Sequence, residues 1–151
     1  MPAAAPGPIV LWLSSRYENI ELAQAALAHV CRLRGIDAEM EHWIGMALRE
    51  AVANAVKHGN RLDPDKRVLV RLESAGDDLT IVIGDEGGGF DPEQISDPLA
   101  PENQLKTSGR GIFYIRTFMD DVAFSRGEAG GTVLTMRKDL SKRGNAKGEK
   151  A

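Results

Sequence analysis

The strongest constraint on how this chain can fold lies in 67-RVLVRLE-73 and 79-LTIVIGD-85, two alternating stretches split by 74-SAGDD-78. Alternation at period two marks a half-buried β-strand, and a short polar connector with glycine reads as the turn of an antiparallel hairpin. Successive strand side chains point to opposite faces, so Leu79, Ile81, Ile83 and Asp85 share one face. If that face is the core, Asp85 points inward as well, where an ionised carboxylate is costly without a partner.

The other elements follow from period and punctuation. Ile9 to Leu13 is a strand candidate. Ile20, Ala23, Leu27 and Val30 recur at helical spacing, and Gly35 ends that helix. Asp37 is a good N-cap for the next helix, with Glu39 and Glu41 favourable in its first turn. That helix is predicted to run to about His58 on a stripe of Ile44, Ala47, Leu48, Ala51 and Ala55, with Gly59 as its C′ residue. Asp91-Pro92 opens a short helix through Ile95. The rest of 86–111 reads as a long loop, and a third helix, 111-GIFYIRTFMDD-121, turns Ile112, Ile115, Phe118 and Met119 to the core. Strands 122-VAFS-125 and 132-TVLTMR-137 close the pattern through 126-RGEAGG-131.

A chain of 151 residues is one domain by the usual prior, here expected over 9–140, between a flexible 1–8 and a disordered polar tail 141–151. The net charge of −3 and pI near 5.6 speak against general nucleic-acid binding. The single cysteine, Cys31, sits in a helical apolar pattern and reads as a small core residue. MPAAAPGP has no basic n-region, and the apolar run 9-IVLWL-13 is too short to span a bilayer, so no membrane association and a cytoplasmic location are expected.

Three groups of residues carry chemistry. In 50-EAVANAVKHGN-60, at ~100° per residue, Glu50, Asn54 and Lys57 fall on a stripe beside the apolar one and border the core. An amide oxygen on a helix suits Mg²⁺, which takes few protein ligands when a polyphosphate supplies the rest. A carboxylate one turn earlier can accept a proton from a hydroxyl or water. An isolated E-x-x-x-N is more simply a solvated helix face. In 85-DEGGGFD-91, an acceptor-only Asp85 would pair with the exocyclic amine of adenine and reject the carbonyl of guanine, while the glycines let backbone approach a flat base. A glycine-rich turn ending a strand would look the same. In 107-TSGRGI-112, free N–H groups at a helix start form a phosphate site, with Lys106, Ser108 and Arg110 adding donors or charge; an ordinary helix start is the simpler alternative.

The order of the three is more specific than any one of them. A helix with E-x-x-x-N, a strand ending in D-x-G-x-G, and a loop leading to a G-x-G helix start resemble the Bergerat-fold (GHKL) ATP-binding superfamily of gyrase, MutL and the histidine kinases. Within it the chain is most similar to the small anti-sigma-factor serine/threonine kinases. The resemblance runs from about Ser15 to Lys138: 50-EAVANAVKHGN-60 as N box, 85-DEGGGFDPEQI-95 and 109-GRGIFYIRTFMDDV-122 as glycine boxes, and 130-GGTVLTMRK-138 as closing strand. It implies that Asn54 coordinates Mg²⁺ and Glu50 is the catalytic base. It implies that Asp85 binds the adenine amine, that Gly87 and Gly89 shape the base pocket, and that Thr132 supports it. It implies that Gly109 and Gly111 approach the phosphates, and Lys106, Thr107, Ser108 and Arg110 complete the expected nucleotide-binding set. Lys57 and His58 receive no role beyond helix-end cations.

Some features depart from the larger superfamily. The second glycine box reads G-R-G-I-F, where a G-x-G-L-like run is commoner. The segment between Asp91 and Gly109 is short and holds Pro92, Pro98 and Pro101, which argues against gyrase-like nucleotide-gated dimerisation. His29, His42 and His58 lack the setting of a phospho-accepting helix.

The elements and the resemblance together imply an α/β (α+β) two-layer sandwich: a mixed, largely antiparallel sheet covered on one face by three main helices. ATP-Mg²⁺ would lie between the helix layer and the 96–111 loop. The expected reaction is γ-phosphoryl transfer to a serine or threonine of a protein. The resemblance names that protein as an anti-sigma-factor antagonist, adds a sigma factor as second client, and leaves room for a homodimer. The alternatives are a nucleotide-dependent binding module that transfers nothing, and a slow ATPase using water.

Overall fold

The computed structural model describes residues 7–88, 110–128 and 130–142. The hairpin read from alternation is β2 (Arg67–Ala75) and β3 (Asp78–Asp85), paired antiparallel with Ala75 opposite Asp78. Its turn is two residues long, shorter than the polar run suggested. Gly76, first in the turn, takes φ +59°, the left-handed conformation that so tight a hairpin demands and glycine adopts without strain.

β1 (Ile9–Ser14) lies on one side of the hairpin; β5 (Thr132–Asp139), and beyond it β4 (Asp121–Arg126), lie on the other, in the order β1-β2-β3-β5-β4. Every pairing is antiparallel, which narrows the expected mixed sheet to a purely antiparallel one among the described residues. The connections explain this. From Ser14 the chain runs out and back along two helices and re-enters the sheet at Arg67, directly opposite Ser14.

α1 (Ile20–Arg34) buries Ala23, Leu27, Val30 and Cys31, and Gly35 caps it. α2 (Ala38–Asn54) starts at Asp37, whose carboxylate accepts the Met40 N–H at 2.8 Å, as the N-cap reading required. α3 (Arg110–Phe118) packs on α2, with the Trp43 and Phe118 rings 4.7 Å apart, and Lys138 Nζ holds its last carbonyl at 3.0 Å. Ile112, Ile115, Phe118 and Met119 are all buried. Beneath the helices, Val68, Val70 and Leu72 of β2, Leu79, Ile81 and Ile83 of β3, and Leu134 and Met136 of β5 complete the core. Each such burial contributes about 1.5–3 kcal/mol. Trp12, on the other face of β1, is 52% exposed, so the helix layer covers one face of the sheet. Among the described residues no helix is long and apolar enough to cross a membrane.

The end of α2 departs from the sequence reading. Ala55–Gly59 forms a wider π-type turn, with the Asn60 N–H donating to Ala55 O at 2.8 Å. Gly59 is not the left-handed stop expected; the positive φ values fall on Arg61 (53°) and Leu62 (60°). The short helix expected over 91–95 and most of the polar tail lie outside the described residues.

Candidate functional site

Asp85 closes β3 where the sheet meets the last turn of α2. By register it continues the face of Ile81 and Ile83, beside Thr132, and the alternation argument holds. Backbone crowds round it. A Cβ on Gly59 would overlap Asp85 Oδ2, one on Gly131 would overlap the Asp85 carbonyl oxygen, and one on Gly87 would overlap the carbonyl oxygen of Gly59. Gly59 is therefore a glycine for space and not for its dihedral angles.

The carboxylate is half satisfied. Oδ1 accepts the Gly87 N–H at 3.0 Å and the Thr132 N–H at 3.2 Å. Oδ2 is buried and has no hydrogen-bond partner among the described residues. Burial pushes the Asp85 pKa up; the Thr132 and Gly87 N–H groups and the Lys66 charge oppose it. An oxygen so placed can accept a hydrogen bond from a ligand that donates one.

Glu50 and Asn54, one turn apart on α2, point to one spot. A Cβ on Gly111, at the start of α3, would stand 3.0 Å from Glu50 Oε1 and 3.3 Å from Asn54 Nδ2. Asn54 is buried, and its Nδ2 has no hydrogen-bond partner among the described residues. Glu50 is half-buried; burial raises its pKa, and the neighbouring Arg49 charge opposes the rise. A carboxylate with raised proton affinity is better suited to take a proton near neutral pH.

Asn54 and Asp85 line one small cleft. It is lined by Ala51, Asn54 and Ala55 on the helix side and by Ile83, Asp85, Phe124, Thr132 and Leu134 on the sheet side. Apolar walls with a few convergent polar groups are what a flat heterocycle requires. Thr132 is buried in this wall, on the strand face that it shares with Leu134 and Met136. Lys57 is exposed and His58 half-buried, its pKa lowered by burial and then by Lys57; neither lines the cleft. Arg110 opens α3. Gly89, Lys106, Thr107, Ser108 and Gly109 lie outside the described residues.

Sequence reasoning missed four contributors. Gly59 and Gly131 make room for Asp85, Phe124 lines the cleft, and Arg126 Nη1 bridges the carbonyls of Gly88 and Gly130 at 3.2 and 3.0 Å. The glycine pair before Thr132 was the available signal; no local pattern marks the other three.

Residues 13–138 match the family described as the histidine kinase-like ATPase domain. The chain belongs to that family. Among the relatives of this histidine kinase-like ATPase domain, a serine-protein kinase RsbW of Listeria innocua is 28% identical over 84% of this chain and 85% of its own length. An anti-sigma F factor of Oceanobacillus iheyensis is 32% identical over 87% of this chain and 92% of its own. The fold is similar to that of the RsbU and RsbW domains of Rv1364c from Mycobacterium tuberculosis, with a TM-score of 0.65 at 21% identity over 89% of this chain. The match spans 32% of that longer structure. The catalytic domain of the histidine kinase ThkA is similar with a TM-score of 0.53 at 13% identity, over 87% of this chain and 97% of that domain.

Proposed function

We propose that this histidine kinase-like ATPase domain is a cytoplasmic anti-sigma regulator that transfers the γ-phosphoryl group of ATP to a serine or threonine of an anti-sigma-factor antagonist. A sigma factor is its second client, held while the antagonist is phosphorylated and cannot compete. The domain spans residues 9–140. The names of its relatives support the class of activity.

The observation that carries the reading is the convergence of Glu50 and Asn54 on Gly111, with Asn54 lining the same cleft as the half-satisfied Asp85. Asp85 Oδ2 would accept the adenine amine, and Thr132 would hold the same end. Gly87 would let backbone reach the base, with Gly89 beside it. Residues 106–111 would hold the triphosphate. The amide of Asn54, buried with an unpartnered nitrogen, fits a hard cation if its oxygen turns toward the phosphates. Among the described residues no group of three or more His, Cys, Asp or Glu could hold a metal by itself. When bound, Mg²⁺ would neutralise phosphate charge.

The bond balance is simple. The acceptor oxygen forms a bond to the γ-phosphorus, the bond to the bridging β–γ oxygen breaks, and ADP departs. The hydroxyl proton passes to Glu50. The Glu50→Gln variant is expected to bind ATP as the wild type does and to phosphorylate its antagonist at least about 10²-fold more slowly. Titration calorimetry and phosphosite mapping on the co-purified antagonist measure the two. Undiminished transfer would strip Glu50 of the role of base.

A further inference from the structure

We propose that Asn60 is a positioning residue for the base-binding carboxylate of Asp85; the proposal rests on the purine reading of that carboxylate. Asn60 is 1% exposed and follows the π-type turn of α2. Its amide oxygen accepts the Glu86 N–H at 2.8 Å. Its amide nitrogen donates to Ser15 Oγ at 2.7 Å and to the Arg67 carbonyl at 2.9 Å. Ser15 Oγ in turn donates to the Lys66 carbonyl at 2.7 Å. The partners fix the orientation of the amide, because the Glu86 N–H can only donate and the Arg67 carbonyl can only accept.

One buried side chain thus ties the end of α2 to the residue after β1, to the first residue of β2, and to the peptide that follows Asp85. That peptide is bonded to the Asp85 Cα, so its orientation sets the direction in which the carboxylate leaves the backbone. The Glu86 side chain also clamps this corner, its Oε1 accepting the Arg67 N–H at 2.6 Å and its Oε2 pairing with the guanidinium at 3.0 Å. That ion pair is largely solvent-exposed and contributes little. The buried amide is the stronger restraint, and no shorter side chain spans the same partners.

The test compares ATP with inosine triphosphate, which carries a carbonyl where adenine carries its amine. Dissociation constants for both, with magnesium, and thermal midpoints are measured for wild type, Asn60→Ala and Ser15→Ala. Both variants break the same buried network and should melt earlier. Ser15→Ala should keep the wild-type preference for ATP, whereas Asn60→Ala should lose about 5-fold or more of it. If Asn60→Ala fails to fold, Asn60→Ser replaces it, with a hydroxyl too short to reach Glu86. A wild type without preference between the nucleotides overturns the purine reading of Asp85 and this proposal with it. A preferring wild type with an unchanged ratio in the Asn60 variant, or an equal loss in Ser15→Ala, overturns the proposal alone.

Discussion

Asp85 and Glu50 are carboxylates that the folded chain makes harder to ionise, in each case chiefly by burial. Linkage fixes the sign of the consequence. A folded-state pKa above the unfolded one means that the folded protein binds more protons, so stability falls as pH rises from the ordinary value, 3.8 for Asp85, through the raised one. An ionised Asp85 without a ligand is therefore a cost to the fold, and under the proposed reading Oδ2 is held for a donor on the base. The Asp85→Asn variant keeps a carbonyl oxygen for the Gly87 and Thr132 N–H groups but turns an amide donor toward the adenine amine. It should weaken ATP binding by about 1–3 kcal/mol, or roughly 5–150-fold. Without nucleotide it should melt higher than wild type at neutral pH, the difference closing as pH falls below the ordinary carboxylate value. Calorimetric titration and pH-dependent melting measure both; unchanged affinity would remove Asp85 from the base pocket.

At the scale of elements, the site is made where α2, α3 and β3 come together. α2 supplies Glu50 and Asn54 from its last turns, and the start of α3 presents Gly111 to both. A methyl group at Gly111 would sit 3.0 Å from Glu50 Oε1, so any side chain there displaces the two polar groups by a few tenths of an ångström. Alanine is the better helix former by about 1 kcal/mol, so the Gly111→Ala change should leave the thermal midpoint unchanged or raised. Transfer to the acceptor should nonetheless slow by about 10-fold or more, because small displacements of reacting groups are costly. Melting followed by circular dichroism, together with single-turnover transfer, checks the pair. Full activity in a well-folded variant would show that this contact has no catalytic consequence.

For the whole molecule, the cleft lies along the seam between the helix layer and the sheet, with walls from both. A ligand seated there bridges the layers and binds only when both are folded. Nucleotide should therefore stabilise the chain as a unit. At free ATP-Mg²⁺ about 100 times its dissociation constant, linkage gives about 2.7 kcal/mol, and the thermal midpoint should rise by roughly 5–10 °C for a domain of this size. A melt showing no shift at saturating ATP-Mg²⁺ would argue against a nucleotide in this cleft.

Much of this protein was legible in one dimension. Local periodicity records which way each side chain faces, so Ile81, Ile83 and Asp85 on one strand face, Glu50 and Asn54 flanking the α2 stripe, and Asp37 as a cap could be read without a fold. The family pattern ordered those pieces. What periodicity cannot record is which distant residues become neighbours when the layers close. Gly59 looks like a helix stop in the sequence and is in fact the space that Asp85 occupies, from 26 residues further along the chain. Gly131 and Asn60 take their roles in the same way, against Asp85 and Glu86. The residue types and their faces belong to the sequence; the fit among them belongs to tertiary packing, because excluded volume and buried hydrogen bonds act between groups that only the closed fold brings together.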